Sequence, residues 1–290
     1  MELALVLAFI TFIGWGTGDL FTIYSVRKIG TKITIIWIYL FSFLLALVAL
    51  PFFPHNVAAI TFPLLCFNII LGLFFVFGNV LVAEAFRISS APLIGVIIPS
   101  FPAAVLVLNA ILYHDTITPL QMLCILVILF GVSLCCVNFT LVKKSKKIFD
   151  RGTTLALIAI TFFTIFFTFS RILIHTYGWF LPTFIATACF PILFFLFFKG
   201  KEKFTVPKNT KILFSLFMVA LLIRSGDFAF NYGITLPNAS GIVTPIANAA
   251  PVLFVVTSFL FYRDKLSKQQ VFGILVTLIG LILLTFFGTK

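Results

Sequence analysis

The chain has 290 residues, of which 62% are hydrophobic and only 10% are charged, against roughly 45–50% and about 25% in an ordinary soluble domain. No globular core absorbs that excess, so the composition excludes a soluble domain and points to a polytopic integral membrane protein. The net charge of +12 does not mark a nucleic-acid surface, because the basic residues sit in short connectors between apolar runs, as membrane topology requires.

The opening "MELALVLAFITFIGWG" carries Glu2 where a signal peptide would carry Lys or Arg. It is expected to stay as the first transmembrane helix. A helix needs about 20 apolar residues to cross the hydrocarbon. Ten runs qualify, near 3–25, 33–53, 61–86, 91–112, 118–140, 153–176, 179–198, 210–233, 239–262 and 268–287. They are too long and too evenly apolar for the alternating segments of a barrel. The expected fold class is therefore an all-α integral membrane protein with ten transmembrane helices.

The first run contains "GWGTGD", residues 14–19, whose last four letters form G-x-G-D. That pattern carries a catalytic aspartate in intramembrane aspartyl proteases, with Asp227 as the conceivable partner of Asp19. The duplicated chain, the order of the two aspartates and the lack of a Pro-Ala-Leu element argue against this alternative. Gly14 and Gly18 are four apart on one helix face, the small-xxx-small spacing that lets membrane helices approach.

Seventeen of the 20 Lys and Arg residues lie in the connectors after helices 1, 3, 5, 7 and 9. The positive-inside rule places these loops in the cytoplasm and both termini outside. The longest basic connector, 141–152, falls near the midpoint and divides the chain into five-helix units, 1–140 and 153–290. At an offset of 149 residues, Pro102, Tyr113, Asp115, Gln121 and Gly131 of the first unit pair with Pro251, Tyr262, Asp264, Gln270 and Gly280 of the second. Polar residues, Pro and Gly held in one register mark a duplication. An odd number of helices per unit makes the two copies inverted repeats, an architecture common among secondary transporters.

The paired "P…YHDTITPLQ…G" and "P…YRDKLSKQQ…G" segments, with the "WG" of the first helix, resemble the EamA-like domains of the drug/metabolite transporter superfamily. The resemblance spans nearly the whole chain. It differs in having Asp115 and Asp264 where the family usually has Glu. It implies export or exchange of small metabolites through a cavity between the repeats, without a cofactor.

Several residues carry site expectations. Pro102 and Pro251, accompanied by Pro99 and Pro245, break the fourth and ninth helices and are expected to act as hinges, since a proline cannot donate to the carbonyl four residues back. Ionisable groups inside a bilayer are costly, about 2.5–3.5 kcal/mol each on insertion scales. Arg224 and Asp227 share one face of helix 8, about 20 Å beyond Lys211 at 1.5 Å per residue. With Asn231, Asn248, Trp15 and Asp19 they form the expected substrate site: Arg224 for a carboxylate or phosphate, the aspartates for an amine. Glu84 and Arg87 read as an interfacial ion pair; Arg171 and His175 read as lining the outer mouth or snorkelling. Asn79 and Asn109 can bond across helices or to a ligand. The five cysteines show no metal-ligand or disulfide spacing, and no metal is expected.

The expected function is a secondary transporter of a small polar, amino-acid-like metabolite in the plasma membrane, working by alternating access as an exporter or exchanger. Its expected partners are the small-molecule substrate and the lipid bilayer, with no nucleic acid. Coupling to protons, through Asp19 or Glu84, or to a counter-substrate is expected, in a monomer or homodimer. A channel and a non-transporting scaffold are weaker alternatives: nothing resembles a selectivity filter, and a scaffold needs neither paired kinks nor buried charge.

Overall fold

The computed structural model describes residues 2–53, 56–114, 117–136, 150–198, 204–236, 243 and 246–288, and among these it is helical with no strand. Lipid offers the backbone no hydrogen bonds, so apolar runs must close theirs internally, as helices do. In chain order the helices are α1 (Glu2–Ile29), α2 (Thr31–Ala49), α3 (Phe62–Ile88), α4 (Ala91–Ile97), α5 (Phe101–Tyr113), α6 (Pro119–Cys136), α7 (Arg151–Tyr177), α8 (Phe180–Ala188), α9 (Phe190–Phe197), α10 (Thr210–Thr235), α11 (Ala250–Tyr262) and α12 (Lys268–Gly288). Among the described residues, seven stretches are long and apolar enough to cross a bilayer by length and composition, while Pro119–Cys135, Ile246–Tyr262 and Lys268–Leu284 are shorter apolar helices. The protein is thus a multi-pass membrane protein.

The duplication is visible in the backbone. Helices α5 and α11 begin and end 149 residues apart. Their N-caps, Ser100 and Ala249, have φ/ψ of −79/−8 and −79/−7. Both helices stop on a left-handed residue, His114 at φ 55 and Arg263 at φ 51. The next helices open on matching capping boxes. The Thr118 N–H donates to Gln121 Oε1 at 2.9 Å, as the Ser267 N–H does to Gln270 Oε1 at 2.9 Å. The reciprocal bonds run from the glutamine N–H groups to Thr118 Oγ1 and Ser267 Oγ. The repeated glutamine therefore has a structural task, satisfying orphan donors at a helix start. A left-handed conformation costs a non-glycine residue about 1–2 kcal/mol. His114→Gly is accordingly expected to stabilise the protein by about 1 kcal/mol, checked as a rise in Tm in detergent.

Packing repeats the same symmetry. Helix α1 lies on α10 as α7 lies on α3; α1 meets α11 as α7 meets α4 and α5; α2 covers α10 as α8 covers α3. Helices α6 and α12 pair with each other, and α4 crosses α11. Exchanging the two halves maps these contacts onto one another wherever both partners are described; the counterpart of α4, 240–246, lies largely outside the described residues. Glycines set the closest approach at the α6–α12 seam: a Cβ on Gly131 would stand 2.6 Å from the Thr277 nitrogen.

Two sequence expectations change in detail. The break expected in the fourth helix is a 3-10 turn inside the span Ala91–Tyr113. Pro102 and Pro251 stand in the first turns of α5 and α11, where a missing N–H costs nothing. Pro99 lies in a 3-10 turn, Ile98–Ser100, that separates α4 from α5. Pro245 and most of the 141–152 linker lie outside the described residues. The seventh run is also broken, at Cys189, with a proline in the first turn of α9.

Candidate functional site

The centre of the molecule is built on the approach of α1 to α10. A Cβ on Gly14 would collide with the Leu222 carbonyl oxygen and come within 3.2 Å of Gly226 Cα. Gly18 faces the Ile223 side chain, while Gly16 turns toward Leu253 on α11. Thr11 Oγ1 donates across the seam to the Gly226 carbonyl at 3.2 Å. This spacing brings Trp15 to α10, where its Nε1–H donates to Asp227 Oδ1 at 2.9 Å. Its ring packs on Phe230 at 5.1 Å.

Asp227 Oδ2 meets Arg224 Nη1 at 3.0 Å, one helical turn back. Arg224 is only 7% exposed. Among the described residues, its Nε has no hydrogen-bond partner, and its Nη1 contact with Asp227 lacks hydrogen-bond geometry. The hydroxyl of Tyr39, on α2, is likewise buried and unpartnered. It lies within electrostatic reach of Arg224 and Asp227, and near Asn79 and Cys189. Unsatisfied donors on a buried cation are expensive. The Arg224 donors without a hydrogen-bond partner among the described residues match the oxygens of a carboxylate or phosphate.

Two clusters lie further along the helices that build this site. Above it, Phe53 follows α2 and packs against Trp179, Phe180 and Phe228 at 5.1, 5.5 and 5.2 Å. Phe228 is the neighbour of Asp227. At the end that carries the basic connectors, Arg27 at the close of α1 meets Asp264 beyond α11, Nη2 to Oδ2 at 2.9 Å. Arg27 also donates to the carbonyls of Phe86 and Ser89 and stacks over the Tyr262 ring at 5.0 Å. Asp264 Oδ2 accepts the Ala91 N–H at the start of α4, 2.7 Å away.

The structure brings Arg224, Asp227 and Trp15 together, with Asn231 one turn further along the same helix. Asp19 accepts from Thr22 at 3.3 Å, and no hydrogen bond among the described residues joins it to Asp227. A protease dyad needs two carboxylates sharing one proton, and both oxygens of Asp227 are already engaged. Asn231 turns its amide back onto its own helix, donating to the Asp227 carbonyl at 2.7 Å, and Asn79 does the same to Phe75 at 2.8 Å. Asn248 is half-buried just before the Ala249 turn. Asn109 Oδ1 is buried without a hydrogen-bond partner. Glu84 and Arg87 form a bidentate pair at 2.8 and 2.6 Å that also takes the Thr31 hydroxyl. Arg171 stacks over Tyr113 at 5.0 Å.

Sequence reasoning did not find Tyr39, Phe53, Arg27 or Asp264 as site components. Arg27 counted only as a topology marker and Asp264 only as a repeat marker; the one signal available was the Tyr-x-Asp that both halves share. Among the described residues no group of three or more His, Cys, Asp or Glu side chains could hold a metal ion.

The sequence profile of the EamA-like transporter family matches residues 2–137 and again 150–286, the two halves seen in the backbone. An uncharacterized protein of Methanocaldococcus jannaschii is 33% identical over 85 residues, 29% of this chain. The chain spans 61% of the length of that curated relative. A solved crystal structure of a protein is similar over 99% of both chains, with a TM-score of 0.64 and 16% identity, a likeness of fold alone. Two tandem copies of the family's sequence pattern, repeated caps and symmetric helix packing lead to one conclusion: this chain belongs to the EamA-like transporter family.

Proposed function

We propose that the protein carries a small polar metabolite, amino-acid-like compounds being the leading class, across the plasma membrane by alternating access as an exporter or exchanger. The reading assumes ten membrane passes in two inverted halves, with the basic connectors on the cytoplasmic side. One observation carries it: a buried arginine with unused donors, fixed from α1 by the Trp15–Asp227 bond, lies where the two halves meet. Asp227 is occupied by Trp15 and Arg224, so it positions the guanidinium and leaves the substrate's oxyanion as the group recognised. Asn248 and Asp19 are the proposed residues for the rest of the substrate. With Glu84 held by Arg87, Asp19 is the carboxylate proposed to carry a coupling proton, and the protein acts as a monomer or homodimer. The breaks around Pro99, Pro102 and Pro251, and the matching position of Pro245, are proposed as the bending points of the cycle.

A thermal-shift panel on purified protein tests the substrate class. Each amino acid is compared with its 2-oxo acid and its decarboxylated amine, with sugar phosphates as a further arm. A ligand at 100 times its Kd stabilises by about 2.7 kcal/mol, a shift that is readily seen. Stabilisation by compounds carrying an oxyanion is expected. Stabilisation by amines alone would refute the assignment.

A further inference from the structure

We propose that Arg27 and Asp264 form a latch that seals the basic-connector end of the substrate path and must release before the central site opens to that side. The contacts are not those of an ordinary surface ion pair. Arg27 closes α1 of the first half, whereas Asp264 follows α11 of the second, 237 residues away. Both oxygens of Asp264 face the guanidinium, Nη1 to Oδ1 at 3.4 Å and Nη2 to Oδ2 at 2.9 Å. The same guanidinium holds the Phe86 and Ser89 carbonyls at the α3–α4 turn, and Asp264 holds the first N–H of α4. The Tyr262 hydroxyl donates to the Leu20 carbonyl of α1. Four pieces of chain, the ends of α1, α3 and α11 and the start of α4, are thus tied at one point between the halves.

Two features distinguish a latch from a permanent weld. The pair is partly wet, with 28% and 20% of its side chains exposed, so water can replace its bonds when the halves separate. The arrangement also has a counterpart. Exchanging the halves turns Tyr262 into Tyr113, and Arg171 of α7 stacks over Tyr113 at the same 5.0 Å that separates Arg27 from Tyr262. An arginine from the first helix of one half therefore covers the repeated tyrosine of the other at each end. Asp115, the partner of Asp264 in the repeat, lies outside the described residues. The Glu84–Arg87 pair stands at the same end of α3, but the hydrogen bonds Glu84 accepts, from Arg87 and Thr31, stay within the first half.

The inference rests on the Arg224 region being the substrate site, but its test needs no substrate. Cys189 is 6% exposed, and its sulfur packs against Gly72 of α3, within electrostatic range of Tyr39, so its thiol reports access to the protein interior. Cys66, Cys124, Cys135 and Cys136 are replaced by alanine, and the protein is reconstituted in vesicles with its basic-connector side accessible. A membrane-impermeant maleimide is then applied. Arg27→Ala and Asp264→Ala are each expected to label Cys189 about tenfold faster, the double variant no faster than either alone, and Glu84→Ala at the parent rate. Asp264→Asn, which keeps the shape and the acceptor for Ala91, covers the case in which a truncated variant fails to fold; it is expected to label faster than the parent but slower than Asp264→Ala. Parent-like labelling in the latch variants would overturn the proposal, and so would equal acceleration by Glu84→Ala. Failure of the ligand panel alone would refute the substrate assignment and leave this result standing.

Discussion

Arg224→Lys is expected to weaken ligand binding by at least about tenfold while the protein keeps most of its stability, and Arg224→Ala is expected to abolish binding. Lysine preserves the charge opposite Asp227 but loses the planar fork and the Nε–H, which has no hydrogen-bond partner among the described residues. Alanine removes every donor. It also leaves Asp227, 22% exposed at its side chain, with Trp15 as its hydrogen-bond donor. Breaking a fully buried pair costs about 3–5 kcal/mol; the residual exposure and the Trp15 bond reduce this to about 2–3 kcal/mol. Lost binding in Arg224→Ala alone would therefore confuse instability with recognition. The double variant Arg224→Gln/Asp227→Asn removes both charges while keeping polar side chains at both positions and is expected to recover much of the stability without recovering binding. Isothermal titration with the ligand found by the panel, beside thermal unfolding, separates the two effects. Parent-like affinity in the double variant would exclude Arg224 from the site.

Gly14→Ala is expected to destabilise the protein by about 2–3 kcal/mol, although alanine is the better helix former by about 1 kcal/mol. The sign of the change is the test. Without close packing the substitution would raise Tm. With it, the new methyl group meets the Leu222 carbonyl and Gly226 Cα, backbone atoms that cannot turn aside. Helices α1 and α10 would have to separate, which loosens the Thr11–Gly226 and Trp15–Asp227 bonds as well. Gly18→Ala meets the tip of the Ile223 side chain instead, which can change rotamer, so a loss of about 1 kcal/mol or less is expected there. Thermal unfolding of the two variants side by side checks this order, and equal effects would contradict the assigned contacts.

The duplication was legible because Pro, Tyr, Asp, Gln and Gly keep one register, and the backbone repeats it in the matched caps at Ser100 and Ala249. The Arg224–Asp227 pairing was legible from their i, i+3 spacing and the cost of charge inside a bilayer. The partners of these residues on other helices were not legible. An apolar run tells which face a helix can bury but not which distant helix will meet it, so the Trp15–Asp227 bond, 212 residues apart in the chain, had no local signal. Tyr39 was hidden for a related reason: in a run of Ile, Trp and Leu an aromatic reads as ordinary membrane packing. Arg27 was obscured by its place in a basic connector, where topology already explains a positive charge. The "GWGTGD" segment shows both sides. Its glycine spacing predicted close packing, but that Gly16 faces α11 while Gly14 and Gly18 face α10 depends on the tertiary arrangement.

Counterflow in proteoliposomes tests the central claim most directly. Vesicles are loaded with unlabelled ligand from the thermal-shift panel, diluted into medium containing labelled ligand, and compared with vesicles carrying Arg224→Gln/Asp227→Asn. Transient, saturable accumulation of label in the parent and none in the variant is the result this account predicts. Ligand binding without counterflow, or equal accumulation in both vesicle types, would contradict it.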